Sequence, residues 1–181
     1  LYKFGILGGV CTQLYHRLTA IPKDELEVHC GFMGNHGAEE LLGGSCELHF
    51  SLDGAGMTEL LERESFDLVV IIDTEEYIEQ ISQMEKRPRV IIEIHTSIER
   101  NLEYLTRIPE NLPYGFITVS EFMREEVTKR VEYLEGDKLK VMGNIIDTDI
   151  FTYSELQRIE GVPPLVWVGK IDDHKNWRLA M

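Results

Sequence analysis

Four stretches of this 181-residue sequence carry residue types that could bind or act on a ligand. His95 ends the run Ile92-Glu93-Ile94-His95-Thr96-Ser97, where an apolar strand meets a capped helix start. A histidine so placed can hydrogen-bond a sugar hydroxyl or a developing oxyanion. The ordinary alternative is a structural histidine. Lys170 and Lys175 flank the turn after Val166-Trp167-Val168-Gly169. Two ammonium groups there can neutralise a diphosphate leaving group, although surface lysine pairs are usually only solvated. Gly8-Gly9-Val10 stands between a strand and a helix. Glycine lets backbone approach a ligand closely, and the helix start offers free N–H groups to an anion; a plain tight turn is the alternative. Asn144, in Gly143-Asn144-Ile145-Ile146-Asp147, follows a later strand, where it could cap, turn or bind.

The elements that must position these residues alternate between apolar runs and helical periodicities. Strands are expected at Tyr2–Leu7, Glu27–Met33, Cys46–Leu52, Phe66–Ile72, Pro88–Ile94, Gly115–Val119 and Lys138–Met142. Between them, Cys11, Leu14, Tyr15 and Leu18 give one helix an apolar face, and a short helix is expected around Met57–Arg63. Asp73 with Glu76, and Thr96 with Glu99, read as capping boxes. Ser120 caps a helix with Met123, Val127, Val131 and Leu134 on one side. The nearly continuous β-branched run Phe66–Ile72 suits a parallel strand covered on both faces. Such alternation predicts an α/β fold, a Rossmann-like doubly wound parallel sheet with helices on both faces. In such sheets ligands collect beyond the carboxyl ends of the strands, where all four stretches fall.

Composition sets the outer bounds. With 18 Lys plus Arg against 32 Asp plus Glu, the chain carries −14, and 43% of its residues are apolar. That is globular composition, and its acidity argues against nucleic-acid binding. No apolar run approaches the ~20 residues of a membrane span, and nothing supports peripheral membrane contact. Cys11, Cys30 and Cys46 form no CxxC pair and read as reduced, buried residues, which fits a cytoplasmic setting. No pair of histidines shows metal-ligand spacing. Nine acids and one base lie between Glu59 and Glu85, chiefly as solvated helix faces, with a partner-binding patch as the alternative. Three parts are expected: a domain over 1–150, a polar linker over 151–164 ending in Pro163-Pro164, and the first strand and helix start of a second domain over 165–181. Both ends read as cut from something longer.

Taken in order, these pieces resemble the retaining family-4 (group 1) glycosyltransferases of the GT-B fold. The family's opening Gly-Gly-Val loop is matched by Gly8, Gly9 and Val10. Its His-Thr-Ser strand end is matched by His95, Thr96 and Ser97, and its Val-Ser before a helix by Val119 and Ser120. Its V-I-P-N-G-V-D-x-x-x-F junction resembles Val141-Met142-Gly143-Asn144-Ile145-Ile146-Asp147 through Phe151, and its Gly-Arg-x-x-x-x-Lys-Gly resembles Gly169-Lys170 through Lys175-Asn176. Gly143 replaces the usual proline, Ile145 and Asn176 replace glycines, and Lys170 replaces arginine, keeping the charge but not the bidentate fork. The family's Glu-x7-Glu motif is absent from this stretch of sequence.

The resemblance implies an acceptor-side domain followed by a nucleotide-sugar domain, the N-terminal half of a GT-B fold and the start of its partner. It implies transfer of a sugar from a nucleotide-sugar to a sugar, lipid or other small acceptor, with retention at the anomeric carbon, no metal and no other cofactor. His95, Lys170 and Lys175 would be catalytic: His95 on the transferred sugar, the lysines on the leaving diphosphate. Gly8, Gly9, Val10, Thr96, Ser120 and Asn144 would bind substrate. The chain alone would be inactive. The alternatives are a sugar-nucleotide epimerase of the same fold and a non-catalytic binding or partner subunit.

Overall fold

The computed structural model describes residues 1–134, 136–152 and 178. Leu1–Asp147 forms one compact unit and a second begins at Thr148. The expected linker lies almost entirely, and the strand from Leu165 entirely, outside the described residues.

The elements of the first unit follow in the order α1 (Gly9–Ala20), β1 (His29–Gly31), α2 (Ala38–Leu42), β2 (Glu47–His49), α3 (Gly54–Glu64), β3 (Leu68–Ile72), α4 (Ile78–Gln83), β4 (Arg89–Ile94), β5 (Pro113–Thr118), α5 (Glu121–Arg130) and β6 (Leu139–Val141). Strands β3-β4-β5-β6 form a parallel four-stranded sheet, and β1 and β2 a parallel pair. Residues 1–3 run between them. Tyr2 bridges Phe32 on one side and Ile72 on the other, both in parallel. Its N–H donates to Gly31 O (3.0 Å), and Ile72 N–H donates to Leu1 O (2.9 Å). The strand order is therefore β2-β1-(Leu1–Lys3)-β3-β4-β5-β6, with the chain winding outward both ways from its first residues. This is a Rossmann-like α/β fold.

Side-chain alternation places the helices. Val69, Ile71, Val90, Ile92, Ile94 and Phe116 share one sheet face and pack in one cluster with Met57 and Leu61 of α3, Ile81 of α4 and Val127 of α5. Glu93 points to the other face, where it meets Arg17 of α1. Cys11 and Leu18 of α1 join Cys30, Phe32, Ala38 and Leu42 in a second cluster. Helices thus cover both faces.

Three local readings are corrected. The expected strand Tyr2–Leu7 pairs only at Tyr2 and Ile6. It breaks at Gly5, whose φ of +53° turns the chain, so that Ile6 bridges His36 and Gly37 instead. Asp73 does not cap a helix: α4 starts at Ile78, and Asp73 takes φ +48° in a tight loop. Thr96 opens no α-helix either. Its Oγ1 accepts from Ile98 N (3.2 Å), and two 3-10 turns follow, Glu99–Asn101 and Glu103–Arg107. Buried Leu102, Leu105 and Ile108 recur every third residue, the 3-10 period, and Pro109 ends the run. Ser120 caps α5 as expected, accepting from Met123 N (3.3 Å). Helix α2 has no counterpart in the sequence reading; it begins after Gly37 at φ +101° and buries Ala38 and Leu42, one turn apart.

A Cβ at Gly5 would lie 2.3 Å from the Gly34 carbonyl oxygen, and positive φ already disfavours a side chain. Left-handed strain of ~1–2 kcal/mol and overpacking of ~1–3 kcal/mol combine. Gly5→Ala is expected to lower unfolding free energy by roughly 2–4 kcal/mol in urea titrations.

Candidate functional site

The parallel strands bring their carboxyl-end loops to one edge of the sheet. Gly8 and Gly9 follow the central segment and open α1. The helix has no side-chain cap and no acid in its first turn, so its leading N–H groups and positive dipole end face outward. A Cβ at Gly9 would meet nothing within 4 Å, and one at Gly8 only Ile6 O at 3.9 Å. Among the described residues, packing does not require glycine at either position. Val10 is half-buried one residue further along.

After β3 comes Asp73, and after β4 come His95 and Thr96. One carboxylate oxygen, Asp73 Oδ1, accepts from both His95 N (2.8 Å) and Thr96 N (3.1 Å). Asp73 N in turn donates to Glu93 O (3.0 Å). The two loops are thereby tied, and the turn at Asp73 aims its carboxylate at the next loop's backbone. Burial pushes the Asp73 carboxyl up, against the pull of those two N–H donors.

Beneath them lies Glu93, 1% exposed on the α1 face of β4. Its carboxylate takes Arg17 Nη1 at 2.7 and 2.8 Å on its two oxygens and lies 2.6 Å from His95 Nε2. Burial alone would raise its pKa; the hydrogen bond from His95 and the charge and hydrogen bond of Arg17 outweigh this and hold it below the usual carboxylate range. Among the described residues, Arg17 Nε and Nη2 are buried without a hydrogen-bond partner, so the guanidinium serves Glu93 with one arm only. His95 is therefore a histidine with one ring nitrogen fixed against a buried carboxylate. That fixes its ring plane and tautomer, as a substrate-contacting imidazole requires.

After β6, Asn144 is exposed. Its neighbour Ile145 is clamped to α1: Gln13 Nε2 donates to Ile145 O (3.1 Å), and Ile145 N donates to Gln13 Oε1 (2.6 Å). The structure thus ties the loop of Asn144 to the helix that Gly8 and Gly9 open. Ser120 sits after β5, its hydroxyl engaged in capping α5. Lys170 and Lys175 lie outside the described residues.

Two features of this edge escaped the sequence reading. Arg17 and Glu93 are 76 positions apart, and only the sheet brings them together. A Glu facing inward in the middle of Val90-Ile91-Ile92-Glu93-Ile94 was the available signal, since a buried carboxylate must find a cation. The second is that the carboxyl-end loops carry the exposed large apolar side chains Leu7, Ile98, Ile145 and Ile146, and the first turn of α5 carries Phe122. A cleft of about 530 Å³ beside α4, lined by Gln80, Tyr104 and Arg107 among others, takes in none of the expected site residues.

Arg17→Met would leave buried Glu93 with the His95 hydrogen bond but without its cation, and should destabilise the fold by up to roughly 3–5 kcal/mol near pH 7. In the wild type the lowered pKa means that ionised Glu93 stabilises the fold above its ordinary value, a contribution lost as pH falls through the folded pKa. Without Arg17 two of the causes that lower the pKa are lost, so the carboxyl moves up from its wild-type position and its ionised form stabilises the fold less. The variant's deficit should therefore shrink in urea titrations as pH falls from about 7 through the folded pKa values. A deficit constant with pH would mean that Arg17 acts through packing alone.

Compared with known proteins, the chain matches no protein-family model and no curated protein.

Proposed function

We propose that this chain is the acceptor-side domain of a retaining glycosyltransferase, with residues from 165 on opening a nucleotide-sugar-binding domain. The observation that carries the reading is the placement of His95. It stands at the carboxyl end of a central parallel strand, its Nε2 held by Glu93 and its backbone by Asp73. Nδ1 is left to accept a hydrogen bond from a hydroxyl of the transferred sugar. The uncapped start of α1 at Gly8-Gly9 supports the reading, because it suits the diphosphate or a polar acceptor group. Exposed apolar side chains at this edge suit contact with an acceptor. In this reading Thr96, Ser120 and Asn144 line the acceptor side, and Lys170 and Lys175 stabilise the leaving diphosphate without a metal.

The test is turnover, in the protein that carries a complete donor-binding half, with a panel of nucleotide-sugars. His95→Ala and Lys175→Ala should each lower kcat/KM for transfer by about 100-fold or more. Near-wild-type turnover in Lys175→Ala would remove that lysine from the mechanism. Donor consumed without any acceptor would point to epimerisation or hydrolysis instead.

Gly9→Ala separates binding from folding. Its new methyl meets nothing in the described fold, so stability should change by less than about 0.5 kcal/mol. KM for donor or acceptor should nonetheless rise, because the methyl obstructs approach to the α1 N–H groups. An unchanged KM would place the ligand elsewhere.

A further inference from the structure

At the other side of the sheet, β1 and β2 place His29, Glu47 and His49 together. His29 pairs in register with Glu47, and Gly31 with His49, so all three side chains project from one face of the two-stranded ladder. One ligand atom from each lies within 4.8 Å of the other two. His29 Nδ1 is 2.9 Å from His49 Nε2, with the rings stacked at 7°. Glu47 reaches both rings, at 3.6 Å from His49 Nε2 and 3.9 Å from His29 Nε2. Both imidazoles are largely buried, 6% and 14% exposed, while Glu47 is open to solvent at 59%. Phe66 sets its ring edge-on against His29.

We propose that His29, His49 and Glu47 form a divalent transition-metal site that takes Zn²⁺. Two ring nitrogens that face each other must share a proton between them, and a metal ion can stand in that proton's place. A tetrahedral ion with bonds of about 2.0–2.1 Å separates its ligands by roughly 3.3 Å. The two nitrogens need open by only a few tenths of an ångström, and Glu47 need close by about as much toward His49 Nε2. Ligation through His29 Nδ1 leaves Nε2 beside Glu27 Oε1, at 3.3 Å. That is the carboxylate-to-histidine support that metal-bound imidazoles ordinarily have. Two imidazoles and a carboxylate suit Zn²⁺ among the common ions. Water at the exposed side completes the coordination.

The site is structural rather than catalytic. Phe32 shares register with Tyr2, Ile72 and Glu93, and His29 lies three residues before it, about 10 Å along the strand toward the amino ends. The ion would join β1 to β2, which otherwise pair over three residues.

The test uses the full chain, stripped with chelator and titrated with Zn²⁺ by calorimetry and by thermal unfolding. One ion should bind per chain, and at free Zn²⁺ about 100 times Kd the unfolding constant should fall about 100-fold. Glu47→Gln, on an exposed side chain that the fold does not need, and His49→Gln should each weaken binding at least tenfold. Co²⁺ in place of Zn²⁺ should give visible d–d bands without near-ultraviolet thiolate charge transfer. Absence of saturable binding at micromolar Zn²⁺, equal affinity in Glu47→Gln, or a thiolate band from Cys30 or Cys46 would each overturn the proposal. The first would leave a hydrogen-bonded histidine pair only.

Discussion

Continuity of the sheet depends on the backbone of residues 1–3. Two hydrogen bonds reach it from the β1 side, through Tyr2 N and Lys3 O, and two from the β3 side, through Leu1 O and Leu1 N. Without them the six strands would be a pair and a quartet, each with an open edge. With them, chain order reverses at the centre of the sheet, which creates a crevice at the carboxyl ends. The candidate residues Gly8, Gly9, Val10, His95, Thr96, Ser120 and Asn144 stand on the loops that leave this edge or on the helix start that follows one. The short hold makes Gly5 consequential. It ends the central strand after three residues and sends the chain to the 34–37 loop, where Gly5 O accepts from His36 N and Ala38 N. Helix α1 then begins at the crevice.

Glu93 is the electrostatic counterpart of that constraint. A carboxylate buried on a sheet face costs several kcal/mol unless charge and hydrogen bonds surround it. Arg17 from α1 supplies one partner and the next loop supplies His95 as another. The arrangement couples three things: the azimuth of α1, the ring plane of His95, and, through Asp73, the path of the loop that carries Thr96. Buried ion pairs often add little to stability against a well-packed apolar substitute, and among the described residues this one leaves two guanidinium nitrogens unsatisfied. Positional specificity is the better account of its presence. An apolar pair would hold α1 equally well and leave the imidazole free to turn.

Much of the fold was legible because its strands are apolar runs and its helices carry capping residues. Phe66–Ile72 and Pro88–Ile94 emerge as β3 and β4 with only their ends trimmed, and Ser120 caps α5. The failures share a cause: local patterns that a tertiary contact overrides. Asp73 and Glu76 have capping-box spacing, yet the Asp73 carboxylate is taken by two N–H groups from a loop more than twenty positions on. Thr96 and Glu99 have it too, but the core asks for a residue every third position, and the segment winds as 3-10. At the site, His95 could be located from its strand, whereas its partner Arg17 could not. Arg17 sits on an amphipathic helix whose charged residues all look alike until the sheet face opposite is known. His29 and His49 were invisible for the same reason, since only the parallel register of β1 and β2 sets them side by side.

The glycines give the sharpest means of telling structural need from reserved space. At Gly5 a methyl group would strike a carbonyl oxygen, and at Gly37 it would meet the Leu7 side chain at 2.7 Å, in both cases at positive φ. Those residues are glycine because the fold allows nothing else. Gly8 has extended backbone and Gly9 is helical, conformations that any residue adopts, and neither has close neighbours. Gly8 is the N-cap, a position that glycine suits. Gly9 is needed neither by capping nor by the internal packing, and it leaves its backbone open to approach from outside the domain. Helix α1 presents its leading N–H groups at that point, a position that suits an anion or another hydrogen-bond acceptor.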